Sequence, residues 1–185
     1  MTSTATAEPI GATPALRRLY VVRFVFATAW AGLLWAHGSE LTVAARLLLF
    51  VYPAFDVAAA VVDARSARAA GPVKGLYANM AASVLAAVAI AVAGATGVAD
   101  VLRVWGAWAV VSGLIQLLVG VARRPMGGQW AMILSGGISV LAGASFIRSA
   151  TQDAPSLTAL AGYATLGGIF FLVSAIRLPR SAPRN

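Results

Sequence analysis

The chain has 185 residues, of which 60% are hydrophobic and only 11% are charged, and its mean hydropathy is +0.84. Soluble domains carry about 25% charged residues, so a soluble fold of this length could not bury so much apolar surface. The net charge of +8 does not indicate nucleic acid binding, because the basic residues cluster between apolar segments and act there as topology signals. We therefore predict an all-α integral membrane protein that has the lipid bilayer, and no nucleic acid, as a partner.

The sequence offers few residues for catalysis or for holding a cofactor. It has no cysteine, and His37 is its only histidine. Thiol chemistry, a thiolate metal site and a multi-histidine metal site are therefore excluded within one chain, and a Ser-His-Asp triad is not expected. We predict no catalytic residue, no metal and no cofactor, and hence a non-enzymatic protein.

Six apolar segments follow one another along the chain. Residues 1–18 are rich in Thr, Ala and Pro and are predicted to form a disordered cytoplasmic N-terminus. Residues 19–178 are predicted to form a six-helix membrane domain, and residues 179–185 a cytoplasmic tail. About 20 apolar residues at 1.5 Å per residue span about 30 Å, the thickness of the hydrocarbon core of a bilayer. The segments of this kind cover about 19–36, 43–62, 75–97, 101–122, 128–147 and 156–176.

Basic residues alternate between the two sides of the predicted helices. Of the 14 lysines and arginines, ten fall on one side, three lie at helix ends on the other side, and Arg23 lies inside the first span. Because Lys and Arg are enriched in cytoplasmic loops, this distribution predicts that both termini are cytoplasmic. The ten residues are Arg17, Arg18, Arg65, Arg68, Lys74, Arg123, Arg124, Arg177, Arg180 and Arg184.

The six segments form three hairpins of one pattern, over about 19–65, 75–123 and 128–177. Every odd-numbered helix opens with an aromatic residue, and every even-numbered helix carries an aromatic followed four residues later by a small or polar residue. The odd-helix residues are Tyr20, Tyr77 and Trp130, and the even-helix pairs are Tyr52 and Asp56, Trp108 and Ser112, and Tyr163 and Gly167. Such regular self-similarity predicts one two-helix unit present three times.

Small residues recur on one face of each of two predicted helices. In the fourth helix they are spaced seven apart, and in the fifth helix four apart. Small residues at such spacings let helix backbones approach closely in lipid, so both faces are predicted to pack against other helices. The residues are Gly106, Gly113 and Gly120 in the fourth helix, and Ser135, Ser139 and Gly143 in the fifth.

Three short segments combine an aromatic residue with small residues in the later helices. They are Trp130, Gly136 and Gly143; Trp108, Ser112 and Gly113; and Tyr163, Gly167 and Gly168. This pattern resembles the bacterial short-repeat membrane proteins, the family that includes the acid-resistance membrane protein HdeD. The resemblance covers about residues 19–178 and is best from residue 100 onward. The earlier hairpins depart from it, since Ser83, Ile90 and Val57 stand where the later hairpins have glycine.

The resemblance implies a bacterial inner-membrane protein built from six helices in three hairpins. No catalytic residues are defined for that family, so none is transferred to this chain. An acid-stress role belongs to one branch of the family, and the resemblance therefore implies a stress-associated function only in general terms.

Two charged residues lie in the inner part of predicted spans, away from the helix ends. Arg23 in the first helix and Asp56 in the second lie about 7 and 5 Å from the midplane, on the same side, at 1.5 Å per residue. Each alone is costly in hydrocarbon, so we predict a salt bridge or a water-bridged contact between them. The alternatives are a protonated or ion-handling Asp56 and an Arg23 that extends to the headgroups. Pro53 either kinks the second helix or breaks it. Asn79 and Gln116, in the third and fourth helices, are predicted to form interhelical hydrogen bonds.

These observations leave two hypotheses of function. The first is a non-enzymatic membrane protein that acts through helix packing, in stress tolerance or as an accessory subunit, with other membrane proteins or itself as a partner. The second is a small channel or proton-coupled transporter that uses Asp56 and Arg23. An enzyme acting on lipid is a weaker third, because no nucleophile is paired with a base and no metal-binding cluster is present.

Overall fold

The computed structural model describes residues 12–38, 40–67, 74–122, 124–126 and 129–178. These residues form six long helices and one 3₁₀ turn, Arg124–Met126, and no strand. The helices are α1 (Ala12–His37), α2 (Val43–Ala67), α3 (Lys74–Thr96), α4 (Val98–Ala122), α5 (Trp130–Ser149) and α6 (Thr158–Arg177). Each contains a span of 20 to 25 residues that is long and apolar enough to cross a membrane. The prediction of six spans is confirmed, and the fold is that of a multi-pass membrane protein.

The first helix begins earlier than the sequence suggested. Residues 12–18 were expected to be disordered but form the first turns of α1, whereas residues 1–11 lie outside the described part of the chain. Pro14 is compatible with a first helical turn, where no backbone N–H is required. Arg17 then donates hydrogen bonds to the carbonyl oxygens of Ala175 and Leu178, at 3.1 and 2.5 Å. These bonds attach the start of α1 to the end of α6. The predicted tail, residues 179–185, also lies outside the described residues.

The helices follow one another around the bundle. Each helix packs against the next one in sequence, and α1 also packs against α6. The closest pairings are α4 with α5 and α1 with α6, whereas the backbones of α5 and α6 make few contacts. The most extensive helix contacts therefore join different predicted hairpins.

The bundle has two halves of different composition. We call the half where α1 begins and α6 ends the terminal half, and the other half the distal half. The large buried side chains lie in the distal half, and they come from all six helices. In the terminal half, every buried hydrophobic side chain among the described residues is alanine. The largest distal side chains are Trp30, Leu34, Leu49, Ile90, Leu102, Trp105, Phe146, Leu157 and Leu160, and the terminal alanines are Ala59, Ala60, Ala64 and Ala175.

Candidate functional site

Arg23 and Asp56 face each other near the middle of the bundle. Each lies within about 4 Å of the middle of its span, on the terminal side, at 1.5 Å per residue. Nη1 of Arg23 lies 3.3 Å from Oδ1 of Asp56, and the two side chains are only 13% and 20% exposed. The structure thus places the two residues in an ion pair between α1 and α2. Three residues before Asp56, α2 continues as an unbroken helix through Pro53.

The other oxygen of Asp56 is bound by two side chains of α3. Nδ2 of Asn79 donates to Oδ2 at 3.1 Å, and Oγ of Ser83 donates to the same oxygen at 2.7 Å. Ser83 also lies 3.0 Å from the carbonyl oxygen of Asn79, but its single proton is better used on the charged carboxylate. Both carboxylate oxygens therefore have partners, which removes most of the cost of keeping the charge away from water.

The cluster extends from Ser83 into α4. Nε1 of Trp108 donates to Oγ of Ser83 at 3.1 Å, so the hydroxyl accepts from Trp108 while it donates to Asp56. Hydrogen bonds arranged in series polarise one another and strengthen each member. We call Arg23, Asp56, Asn79, Ser83 and Trp108 the polar cluster. Its members come from four consecutive helices.

The arginine of the cluster also contacts α6. Its guanidinium carbon lies 4.8 Å from the centre of the Phe171 ring, a cation–π geometry, and Tyr20 packs on the same ring. Asp63, two turns beyond Asp56 on α2, also interacts electrostatically with Arg23. Nε of Arg23 is buried and has no hydrogen-bond partner among the described residues. The guanidinium is therefore held on several sides but keeps unused donor capacity.

An aromatic layer covers the distal side of the polar cluster. Its four rings, which we call the aromatic layer, lie with neighbouring centres 4.5 to 6.1 Å apart. Nε1 of Trp30 donates to the carbonyl oxygen of Leu48 at 2.6 Å, in the turn of α2 that precedes Pro53. Nε1 of Trp105 is buried without a partner among the residues described. The four rings are Trp30, Tyr52, Trp105 and Trp108.

The glycines of α4 allow its backbone to touch that of α5. A Cβ atom on Gly113 would lie 2.7 Å from the carbonyl oxygen of Gly136, and a Cβ on Gly136 would lie 2.8 Å from that of Gly113. The relation is repeated between Gly106 and Gly143, at 2.6 and 2.5 Å. A Cβ on Gly120 would lie 2.9 Å from Cγ1 of Ile133. These distances leave no room for any side chain at the two reciprocal pairs.

The three small residues predicted to share a face of α5 have different surroundings. Gly143 lies against α4, and Ser139 is buried and accepts a 2.8 Å hydrogen bond from the Tyr163 hydroxyl of α6. Ser135 is only half-buried. Two steps of four residues rotate a helix by about 80°, so Ser135 does not point in the direction of Gly143. Gly136 is the residue that continues the face of Gly143 toward α4.

Sequence reasoning identified part of this site. It paired Arg23 with Asp56 and predicted an interhelical hydrogen bond for Asn79, and the structure contains both. It assigned no polar role to Ser83 or Trp108. Ser83 follows Asn79 by four residues and so lies on the same face of α3, which is a sequence signal for it, whereas nothing in the sequence connects Trp108 of α4 with this site. Gln116, for which an interhelical bond was also expected, makes none with a described residue.

The described residues include no group of three or more His, Cys, Asp or Glu side chains that could hold a metal ion. Comparison with protein-family models, with curated proteins and with solved structures finds no match to this chain. Function therefore has to be inferred from the geometry of the polar cluster and of the bundle around it.

Proposed function

We propose that this chain is a non-enzymatic integral membrane protein that acts through helix packing, as an accessory or stress-associated subunit of a membrane assembly. One observation carries the proposal. Both oxygens of the intramembrane carboxylate of Asp56 are bonded, to Arg23 of α1 and to Asn79 and Ser83 of α3. A charge whose partners are all side chains of neighbouring helices serves to hold those helices together.

We further propose that the chain belongs to the short-repeat family that contains HdeD and is built from three related hairpins. Two hydrogen bonds of one type support a relation between the hairpins. Trp108 of α4 donates to Ser83, 25 residues earlier, and Tyr163 of α6 donates to Ser139, 24 residues earlier. An aromatic side chain of the even helix thus binds a serine of the odd helix in both later hairpins. In the first hairpin the aromatic donor lies on the odd helix instead, since Trp30 of α1 donates to a backbone carbonyl of α2.

The proposal also covers the membrane in which the chain lies, the side on which its termini lie, and its partners. The ten-to-three distribution of basic residues supports cytoplasmic termini, and a bacterial inner membrane follows from the family resemblance. Large apolar side chains are exposed on every helix, for example Leu85 at 71% and Leu141 at 73%. Such a surface suits lipid and also suits another membrane protein or a second copy of the chain.

A second function, a small channel or proton-coupled transporter that uses Asp56 and Arg23, has one observation in its favour. Asp56 retains 20% of its side-chain exposure near the middle of its span, although its oxygens bind α1 and α3. An intramembrane ionisable residue with access to water is a feature of ion and proton pathways.

A flux measurement in liposomes separates the two functions. We expect the purified chain to carry no proton or ion current above that of empty liposomes. A current that is lost in Asp56→Asn, but retained in Asp100→Asn, would contradict the packing role and favour transport. Asp100 is the matched control because it is a carboxylate of α4 that is 45% exposed at the far end of the bundle, paired with Arg103.

A further inference from the structure

The two ends of the bundle differ in charge. Among the described residues, the distal end carries three basic and three acidic side chains, so its charges cancel. The terminal end carries six basic side chains and, among the same described residues, a single acidic one, Asp63. The distal residues are Arg46, Arg103, Arg148, Glu40, Asp100 and Asp153, and the terminal basic residues are Arg17, Arg18, Arg65, Lys74, Arg124 and Arg177.

Most of the positive charge at the terminal end is not neutralised by the chain itself. Arg17 is bound to carbonyl oxygens at the end of α6, whereas the other five residues are exposed. None of these five forms an ion pair or a hydrogen bond with a described residue. At the distal end, by contrast, Arg103 is paired with Asp100. We call the five residues the terminal rim, namely Arg18, Arg65, Lys74, Arg124 and Arg177.

The terminal rim lies at the depth of the lipid headgroups. Arg65 and Arg177 are the last residues of their spans, and Lys74 is the first residue of its span. Spans of 20 to 25 residues cover about 30–38 Å at 1.5 Å per residue, against about 30 Å for the hydrocarbon core. Arg18 lies in the first turns of α1, and Arg124 lies in the turn between α4 and α5. Every pair of neighbouring helices around the bundle therefore includes a basic side chain at this depth.

Exposed aromatic side chains accompany the terminal rim. Trp130 at the start of α5 is 62% exposed, and Tyr77 in the first turn of α3 is 44% exposed. Trp and Tyr are enriched at the level of the headgroups. The guanidinium carbon of Arg124 lies 5.5 Å from the centre of the Trp130 ring, a cation–π geometry. This contact uses the face of the guanidinium, so its N–H groups remain available to an anionic acceptor such as a phosphate.

We propose that the terminal rim binds the headgroups of anionic phospholipids. Arginine donates paired hydrogen bonds to a phosphate, and lysine attracts it as a point charge. A zwitterionic headgroup carries its own cation beside the phosphate, so it gains less from a basic side chain. Basic residues that surround the bundle suit lipids, which surround it too, whereas an acidic segment of a partner protein would cover one side. The binding does not depend on the proposed packing function or on which end of the bundle faces the cytoplasm.

Spin-labelled lipids provide the test. The purified chain is placed in phosphatidylcholine bilayers with a trace of spin-labelled phosphatidylglycerol or spin-labelled phosphatidylcholine. Electron paramagnetic resonance separates label immobilised at the protein from label in the bulk bilayer, and the ratio of the two association constants measures the preference for the anionic headgroup. The terminal triple variant combines Arg18→Gln, Arg65→Gln and Lys74→Gln. The distal triple variant combines Arg46→Gln, Arg103→Gln and Arg148→Gln, and it is the matched control because it removes the same number of charges.

We expect the unmodified chain to prefer the anionic label by at least about twofold, since one basic side chain favours an anionic headgroup by on the order of fivefold and the measurement averages over all lipid contacts. The terminal triple variant should lose most of this preference, and the distal triple variant should keep most of it. Added salt should reduce the preference by screening. If a triple variant does not accumulate, Lys74→Gln is compared with Arg148→Gln instead.

Two results would overturn the proposal. The first is an equal loss of preference in the terminal and distal variants, which would make net charge, and not the terminal rim, the cause. The second is no preference in the unmodified chain. If that chain nevertheless binds soluble polyglutamate, and the terminal triple variant does not, the partner of the terminal rim is an acidic protein segment and not lipid.

Discussion

The distal and terminal halves of this bundle are built from the same six helices but are stabilised in different ways. In the distal half, large rings and aliphatic side chains fill the interior, so dispersion contacts between well-packed groups hold the helices. In the terminal half, the described interior has only alanine as a buried hydrophobic residue and contains an ion pair and interhelical hydrogen bonds. The large packed side chains and the ion pair of Arg23 and Asp56 thus lie at different depths within one small protein.

The close contact of α4 with α5 is common to both halves. Gly106 and Gly143 meet in the distal half, and Gly113 and Gly136 meet near the middle. Without a hydrophobic driving force between helices in lipid, such backbone contact is one of the main sources of association. The stability lost when this contact is disrupted can therefore be compared with the losses caused by changes in the distal and in the terminal interior.

The largest effect is expected from the distal interior. Trp105→Ala removes a fully buried ring that contacts three other rings of the aromatic layer. By analogy with large-to-small changes in protein cores, it should lower the free energy of unfolding by about 3–5 kcal/mol. The measurement is thermal or denaturant unfolding in detergent. Trp35→Ala is the control, because Trp35 is 70% exposed on α1 and should cost little. Equal losses for the two variants would contradict the view that the distal half depends on its packed interior.

A somewhat smaller loss is expected at the glycine contact. Gly113→Leu would place a side chain where a Cβ alone would lie 2.7 Å from a backbone oxygen, so α4 and α5 must separate, at a cost of about 3 kcal/mol. Gly137→Leu is the matched control on α5, since a Cβ there meets nothing within 4 Å. Unfolding in detergent should therefore distinguish the two substitutions. A Gly113→Leu protein as stable as Gly137→Leu would show that the contact is not tight.

The smallest of these effects is expected from one hydrogen-bonding group of the terminal half. In Ser83→Ala, the carboxylate of Asp56 loses one of its hydrogen-bond donors. Nε1 of Trp108 loses its acceptor. The expected cost is about 1–3 kcal/mol, the price of an unsatisfied buried polar group. Ser145→Ala on the exposed face of α5 serves as the control and should change the unfolding midpoint little. If Ser83→Ala is equally silent, the hydroxyl contributes nothing to the stability of the terminal half.

Several features of this structure could be predicted from sequence because they depend on short-range patterns. The number of spans follows from the length of the apolar runs, and the pairing of Arg23 with Asp56 follows from equal depth on helices joined by a short loop. The packing role of Gly106 and Gly113 follows from seven-residue spacing, which returns to the same helix face within about 20°.

Other features depend on how each helix is rotated about its axis, which only the packed bundle determines. Ser135 was expected to share a face with Gly143, but four-residue steps drift by about 40° each, and Gly136 takes that place. Ser83 and Trp108 join the polar cluster because α3 and α4 turn toward α2, and no local pattern fixes that rotation. The pairing of α1 with α6 joins the two ends of the chain and likewise has no short-range signal.

The central claim is that the bond between Arg23 and Asp56 stabilises the terminal half. A double-mutant cycle with Arg23→Leu, Asp56→Leu and the double variant, followed by unfolding in detergent, tests it most directly. Removing one partner of a buried pair leaves the other charge uncompensated and should cost about 3–5 kcal/mol, so the double variant should lose less stability than the sum of the two single variants. The same cycle at the exposed pair of Asp100 and Arg103 is the control, and there the double variant should lose as much stability as the sum of its two single variants, because solvent screens an exposed pair. A loss in the Arg23 and Asp56 double variant equal to the sum of its single losses would contradict the account.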